Sequence, residues 1–428
     1  MGFRRLDPVP EYGWGLHLLN LGQAGPVESF LPVLMLAVLF GLSMDYEVFL
    51  VSRIREEWAA SGDNRQAVRT GQATTGRVII AAATIMICVF SAFILSSQQT
   101  GRPVPGPRDV LLRVRACGIC GTDAIFVQIG GMPLGPGGQI TAIPLGHELA
   151  GETIETGAQV TGLKPGDRVV INPQAAPSGI IGCGGVQGGM SEYLLIENAR
   201  AGTSLAVFPD TVPFEIAALN EPMAVARHCV NRSQARIADK VAVFGAGPIG
   251  LGTVIWLKLA GVRHVAVADI IPGRLQTALD VGADAVIDSS REDVTARLTD
   301  LHGHSTNAVG QPRPDTGIYV DADPGTGAAS VVSTALRAAK WGARLVTVAV
   351  HSKPEPIDLG AMLRSEVTII ASQGYLTEIF EIIPQIAEYQ QRFSRLISHR
   401  VPFCEVTEAF QLALTPGAAE KVVVTFND

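Results

Sequence analysis

The sequence predicts an α/β protein in which a β-rich domain and a doubly wound parallel sheet follow two membrane-spanning helices. Two long apolar runs stand before residue 100, and strand-like alternation of apolar and polar residues begins at residue 109. From about residue 238, strands alternate with a Gly-rich turn and a long apolar helix, which is typical of a parallel sheet. We expect four segments: a membrane fragment (1–98), a β-rich domain (99–228), a parallel-sheet domain (229–371) and a return segment that completes the β-rich domain (372–428).

The N-terminal apolar runs are long enough to cross a bilayer. Residues 30–52 include Asp45 and Glu47, whereas residues 78–95 carry no charge. The loop between the runs has five Arg against three acidic residues, and the positive-inside rule places it on the cytoplasmic side. A buried core helix is the alternative for residues 30–52. We therefore expect a membrane localisation, with membrane association through residues 30–95.

These runs resemble part of an MmpL-type transporter of the resistance–nodulation–division superfamily over residues 13–97. The resemblance is carried by FLPVLMLAVLFGLSMDYEVFLVSRIREEW and TGRVIIAAATIMICVFSAF. It implies that Asp45 and Tyr46 match an Asp-Tyr pair of that family's proton relay. A relay needs facing helices, and only two of the family's many spans are present, so no transport is expected from this fragment.

Charge and cysteine usage limit the function classes. A net charge of −7 and a pI near 5.7 argue against a nucleic-acid partner. The six cysteines, at positions 88, 117, 120, 183, 229 and 404, do not have the regular spacing of a secreted disulfide framework. They suit a reducing compartment, so the portion after residue 100 is expected to be of cytoplasmic type.

The motif GAGPIG, which begins at Gly245, predicts a dinucleotide site of the Rossmann type. A strand precedes it, an apolar helix follows it, and Asp269 ends the next strand. Gly245 permits a tight turn, Gly247 lets the backbone approach a pyrophosphate, and Gly250 permits close helix–strand packing. The helix N-terminus favours the phosphates. Asp269 would accept hydrogen bonds from the adenosine ribose and repel a 2′-phosphate, which favours NAD over NADP, and Arg274 would border the adenine.

Cys120, His147 and Glu221 are candidate ligands of one zinc ion. Thiolate, imidazole and carboxylate all bind zinc, and three protein ligands leave a fourth position for water or substrate. Each residue taken singly has another interpretation. Cys120 could be a small buried residue, His147 a histidine of the core, and Glu221 an acidic residue at a helix N-terminus. Cys117 and Cys120 also form a CGIC pair that would suit redox chemistry.

Six motifs occur in one order along residues 103–428: ACGICGTD, PLGHELAGE, LKPGDRVV, GGMSEY, LNEPMAVARH and GAGPIGLG. As a set they resemble the zinc-dependent medium-chain alcohol dehydrogenases, particularly the polyol, butanediol and threonine dehydrogenase branch. The resemblance implies a GroES-like catalytic domain beside a Rossmann domain, with zinc and NAD as cofactors. It also implies hydride transfer from a secondary alcohol, diol or polyol to NAD, and a homodimer or homotetramer.

The same resemblance assigns roles around the metal. It implies that the three candidate ligands hold a catalytic zinc beside Glu148, a carboxylate that can join or leave the coordination shell. Thr122 matches the hydroxyl that relays the substrate proton. Asp123 matches the carboxylate that orients the zinc-binding His147.

Two features depart from the family pattern. Residues 171–193 hold a single cysteine, Cys183, where many members have four closely spaced cysteines, so we expect no structural zinc. The membrane fragment stands where members have an opening strand pair, so an open sheet edge is expected. The alternatives are a zinc-free reductase of the same fold, a transport fragment, and an inactive product of a fusion at residues 94–110.

Overall fold

The computed structural model describes residues 50–73, 75, 102–134, 138–323, 331–351 and 354–426. The chain divides into two compact units, Met1–Val104 and Pro105–Asp428. The predicted span 78–95 lies outside the described residues, as does 30–52 except for its last three positions, and so do Asp45 and Tyr46. Among the residues that are described, no helix has both the length and the apolar character needed to cross a membrane.

Two helical segments, 50–61 and 64–73, belong to the first unit. Gly62 ends the first with a φ of +67°, and its amide donates to the Trp58 carbonyl at 2.8 Å. Asp63 caps the second, because its Oδ1 accepts hydrogen bonds from the amides of Arg65 (2.8 Å) and Gln66 (3.2 Å). The polar loop between the predicted spans is therefore folded into two capped helices.

The second unit contains the remaining described elements. Its strands are β1 (Val110–Gly118), β2 (Met132–Leu134), β3 (Gln139–Thr141), β4 (Glu148–Thr156), β5 (Arg168–Ile171), β6 (Tyr193–Ile196), β7 (Leu205–Val207), β8 (Lys240–Phe244), β9 (His264–Asp269), β10 (Ala285–Asp288), β11 (His304–Thr306), β12 (Pro312–Pro314), β13 (Ile318–Asp321), β14 (Arg344–Thr347), β15 (Thr368–Ala371), β16 (Ile397–Pro402) and β17 (Lys421–Thr425). Its α-helices are α1 (Gly121–Ile129), α2 (Phe214–Ala217), α3 (Asn220–Ser233), α4 (Pro248–Leu259), α5 (Pro272–Asp280), α6 (Val294–His302), α7 (Val331–Ala338), α8 (Leu359–Ser365), α9 (Glu378–Glu381), α10 (Ile383–Glu388), α11 (Gln390–Ser394) and α12 (Val406–Leu414). Short 3₁₀ turns lie at Pro173–Ala175 and Phe403–Glu405.

A seven-stranded sheet forms the β-rich domain. Its order is β16–β17–β1–β4–β5–β7, with β6 pairing to β1, and β16–β17 is its one parallel pair among the described strands. The side chains of Val110, Leu112 and Val114 are fully buried, which explains the alternation read from the sequence. The C-terminal segment thus contributes two strands to this sheet, and β1 delivers the chain to the CGIC turn.

A six-stranded parallel sheet forms the second domain, in the order β10–β9–β8–β13–β14–β15. The chain starts at β8, adds β9 and β10 on one side, and then adds β13, β14 and β15 on the other. The winding therefore reverses between β8 and β13, and ligands of doubly wound sheets bind at the carboxyl ends of the strands beside such a point. The predicted α/β architecture is confirmed.

Helix α3 connects the two sheets and is held on two sides. The Trp256 ring of α4 packs on Phe393 with centroids 5.2 Å apart, and its Nε1 donates to the Met223 carbonyl at 2.9 Å. His228 lies farther along α3, and its Nδ1 is 2.9 Å from Oε1 of buried Glu378. Fully burying one aromatic side chain of this size stabilises the fold by on the order of 2–3 kcal/mol. The N-terminus of α3, which carries Glu221, is consequently fixed in place.

Candidate active site and metal centre

The turn between β1 and α1 presents Cys120 at the helix N-terminus. The Cys120 amide donates to Asp123 Oδ2 at 3.3 Å, which closes a capping box. Gly118 precedes the turn, and a Cβ there would lie 2.2 Å from Glu148 Oε2. A residue without a side chain at 118 therefore lets the Glu148 carboxylate approach the turn.

Three ligand types meet at this turn. The Cys120 sulfur, a His147 ring nitrogen and a Glu148 carboxylate oxygen all lie within 4.8 Å of one another. His147 and Glu148 are 6% and 2% exposed, whereas Cys120 is half-buried, so only the cysteine is partly accessible to water. One sulfur, one nitrogen and one oxygen donor suit zinc.

His147 is oriented by partners on its Nδ1. Asp123 Oδ2 lies 3.5 Å from that nitrogen and Cys183 Sγ lies 3.3 Å from it. Asp123 is fully buried, and its Oδ1 accepts the Gly146 amide at 3.3 Å. Burial lowers the pKa of His147, but hydrogen bonds to Asp123, Cys120 and Cys183 outweigh it and raise that pKa well above its usual value. Asp123 thus lies beside the Nδ1 nitrogen of His147.

Glu221 lies beside the group but is not one of its three members. It stands in the first turn of α3. Burial raises the pKa of the Glu221 carboxyl to about 7; the nearby His147 lowers that pKa, and Glu148 raises it further. The predicted ligand set is thus only partly assembled: Glu148 stands with Cys120 and His147, and Glu221 stands at the border.

Glu148 is also bound to a buried lysine from the last strand. Lys421 forms an ion pair with Glu148 Oε2, and both side chains are 2% exposed. Lys421 Nζ also donates to the Ile119 carbonyl at 2.9 Å. Burial lowers the pKa of Lys421, but the Glu148 carboxylate outweighs this and raises it overall. The pair joins β17 to β4 directly behind the turn that holds Cys120.

The Gly-rich turn after β8 has the shape of a phosphate cradle. Gly245 has a φ of +90°, and a Cβ there would lie 2.8 Å from the Ala322 carbonyl oxygen. A Cβ on Gly250 would lie 1.8 Å from the Gly245 carbonyl oxygen, which explains the close helix–strand packing. Nothing lies within 4 Å of a Cβ on Gly247, where α4 begins. Open space above a helix N-terminus suits a pyrophosphate.

The Asp269 carboxylate at the end of β9 faces this turn. Its Oδ2 accepts the Ala246 amide at 2.7 Å, and its Oδ1 accepts the amides of Ile270 (2.7 Å) and Ile271 (2.8 Å). An ionised carboxylate offers about four acceptor positions, so capacity remains for a ribose hydroxyl. Arg274 is turned toward the C-terminal segment, where its Nη2 donates to the carbonyl oxygen of residue 419 at 3.4 Å.

Three further residues of the site were not singled out from the sequence. Lys421 begins the apolar run KVVVTF and is buried. A charged residue next to a run expected to be buried was the sequence feature that could have indicated a buried ion pair. Cys183 has a φ of +40° within a Gly-rich run, and no local pattern shows that it reaches His147. Tyr375 is buried with its hydroxyl 3.3 Å from Asn172 Oδ1; burial, and then the Glu221 charge, raise the pKa of its hydroxyl.

Family models match three parts of the chain. Residues 106–204 match the alcohol dehydrogenase GroES-like domain, and residues 248–388 match the zinc-binding dehydrogenase domain. Residues 12–102 match the MMPL family.

Known proteins are similar to about three quarters of the chain. The sorbitol dehydrogenase of Gallus gallus is 32% identical over 357 residues, which is 76% of this chain and 92% of the relative. The crystal structure of 2R,3R-butanediol dehydrogenase from Bacillus subtilis superposes with a TM-score of 0.67 at 26% identity, covering 77% of this chain and 96% of that one. A zinc-binding dehydrogenase from Sinorhizobium meliloti 1021 bound to NADP has a TM-score of 0.62 at 27% identity, covering 76% and 94%. With its GroES-like sheet, its doubly wound sheet and these relatives, the chain belongs to the zinc-binding alcohol dehydrogenase family.

Proposed function

We propose that the chain oxidises a secondary alcohol, a diol or a polyol by transferring a hydride to NAD, with one catalytic zinc. The observation that carries this proposal is the meeting of Cys120, His147 and Glu148 within 4.8 Å, in segments that resemble the family's zinc motifs. The sorbitol and butanediol dehydrogenases among the relatives support the substrate class.

Cys120 and His147 would hold the zinc, with Glu221 as the third protein ligand and Glu148 as a carboxylate that can join or leave the coordination shell. Bound there, zinc supplies a Lewis acid that lowers the pKa of the substrate hydroxyl. The Glu148 carboxylate contacts both this ligand group and Lys421. How closely the carboxylate approaches the zinc would therefore depend on the ion pair with Lys421. Asp123 keeps His147 in one orientation through its Nδ1.

Thr122 would take the proton that the substrate loses. Its Oγ1 lies 3.7 Å from Cys120 Sγ, so the hydroxyl stands at the edge of the ligand group. A hydroxyl both accepts and donates, which allows it to pass a proton onward. The substrate would bind with its reacting hydroxyl within reach of Thr122.

Asp269 favours NAD over NADP in this proposal. Its carboxylate is fixed by three backbone amides beside the predicted adenosine ribose, where a 2′-phosphate would add a second negative charge. One relative of the family binds NADP, so the preference has to be measured. Arg274 would border the adenine only if it left its carbonyl partner.

The experiment is a set of initial-rate measurements on the purified full chain, with 2,3-butanediol, sorbitol and primary alcohols as substrates. We expect NADH formation from the diol or the polyol. We also expect kcat/KM to be at least about tenfold higher for NAD than for NADP, because Asp269 would repel the 2′-phosphate. A factor of ten corresponds to about 1.4 kcal/mol of differential binding. No reduced cofactor with any secondary alcohol, after reconstitution with zinc, would contradict the proposal.

We also propose that residues 30–95 associate with a membrane, on the strength of their hydropathy and of the MMPL match over residues 12–102. The full chain is expected to sediment with membranes and to stay there after an alkaline carbonate wash, which strips proteins held by charge alone. Recovery in the soluble fraction would refute membrane insertion. A homodimer or homotetramer stays a prediction from the resemblance.

A further inference from the structure

The carboxyl edge of the parallel sheet has two halves. Asp269 ends β9 on one side of β8, and Asp321 ends β13 on the other. A dinucleotide lies across the reversal point with one nucleotide over each half. Since Asp269 stands at the adenosine side, the nicotinamide-side ribose belongs over the ends of β13 and β14.

A buried acid and a histidine are paired on that second half. Asp321 is fully buried, and its Oδ2 lies 2.8 Å from Nε2 of His351. The segment after β14 folds back over the end of β13, because the amides of Val348 and Ala349 donate to the Asp321 carbonyl at 3.0 and 3.1 Å. The backbone therefore holds His351 against the carboxyl edge of the sheet.

The end of β13 also abuts the glycine turn. The Ala322 amide donates to the Phe244 carbonyl at 2.9 Å, and the Ala322 carbonyl oxygen would lie 2.8 Å from a Cβ on residue 245. The paired acid and histidine are thus on the same edge as the turn that would hold the pyrophosphate.

Within this pair the carboxylate is buried and the imidazole is accessible. Burying a carboxylate is costly, and the charged form of Asp321 is stabilised here by His351 and by a backbone hydrogen bond from residue 323. The His351 side chain is 20% exposed, and Glu355 Oε1 lies 3.8 Å from its Nδ1, beyond hydrogen-bond distance. Burial raises the pKa of Asp321, and His351 lowers it, so the imidazole is the main compensation for this buried acid.

We propose that Asp321 and His351 form a cofactor subsite in which His351 binds a hydroxyl of the nicotinamide-side ribose. Asp321 accepts the Nε2–H of His351 and fixes the ring, which leaves Nδ1 to form a hydrogen bond with a ribose hydroxyl. Asp321 is then a positioning residue, and His351 is the cofactor contact. This inference rests on the proposed function, because it takes the ligand to be a nicotinamide dinucleotide.

The test is calorimetric binding of NADH, ADP-ribose and ADP to the full chain and to its His351→Ala variant. The Kd of NADH and of ADP-ribose should rise roughly three- to tenfold, the range expected for one hydrogen bond. The Kd of ADP should not change, because ADP lacks the second ribose.

Two further variants keep the test decisive. His304→Ala, in the exposed β11 strand, should bind all three nucleotides as the natural chain does. Asp321→Asn, which presents an amide to Nε2, should weaken ADP-ribose without weakening ADP. Unchanged NADH and ADP-ribose affinities in His351→Ala, or an equal loss for ADP, would overturn the subsite. If the natural chain binds NADH but oxidises no alcohol, only the proposed reaction is contradicted, and the affinities of the variants still decide the subsite. If the natural chain binds neither NADH, ADP-ribose nor ADP, both the proposed reaction and the subsite are contradicted.

Discussion

Replacing Cys120 with serine is expected to release the zinc and to lower kcat/KM for diol oxidation by on the order of a thousandfold. The thiolate is the one soft donor among the three groups that meet at the turn. A serine hydroxyl stays protonated near neutral pH and binds zinc poorly. Metal content and NADH formation, measured on the same preparation, check this prediction.

Two other cysteines provide the controls. Cys404 is exposed, so Cys404→Ser should keep zinc and full rate. Cys117 is fully buried, and burial raises the pKa of its thiol, which disfavours the thiolate that a redox CGIC pair needs. Cys117→Ala should therefore retain turnover. Zinc bound at full occupancy in Cys120→Ser would contradict the ligand assignment, and equal loss of activity in the Cys117 and Cys120 variants would favour the redox alternative.

Replacing Lys421 with methionine is expected to lower the free energy of unfolding by about 3–5 kcal/mol, the usual effect of removing one partner of a buried ion pair. The variant leaves the Glu148 carboxylate buried without its cation and removes the donor to the Ile119 carbonyl. Urea denaturation followed by circular dichroism measures the change. Lys164→Met, at an exposed position, is the matched control and should change stability by less than about 0.5 kcal/mol.

The double variant Lys421→Met with Glu148→Gln separates charge from packing. Because the neutral amide no longer requires a cation, we expect it to regain much of the stability lost in Lys421→Met. If the two substitutions instead destabilise additively, the Glu148–Lys421 pair does not carry the energy assigned to it.

Local patterns in the sequence were sufficient for most of the fold. The runs GDRVVI, GIYVDAD and KVVVTF contain β5, β13 and β17, because period-two alternation and continuous apolar runs report burial directly. The GAGPIG turn was also predictable from local sequence, because a Cβ on Gly245 or Gly250 would clash with backbone atoms close by. The parallel direction of the strands in the second sheet followed from the βαβ alternation, whereas the strand order did not.

The incomplete part of the prediction concerns contacts between distant segments. Cys120, His147 and Glu148 come from two motifs that a single strand pairing, β1 with β4, brings together. Lys421 reaches Glu148 only because β17 pairs with the other side of β1, and Cys183 reaches His147 from an irregular loop. Neither contact has a periodic signature, since register and loop path are decided by tertiary packing.

Zinc removal and return in the full chain tests the central claim most directly. Zinc per chain and NADH formation from 2,3-butanediol would be measured before chelation, after it, and after zinc is added back. The zinc-dependent mechanism predicts about one zinc per chain, loss of turnover with the metal, and recovery when zinc returns. Undiminished turnover by the metal-free protein would contradict it and identify the chain as a zinc-free reductase of the same fold.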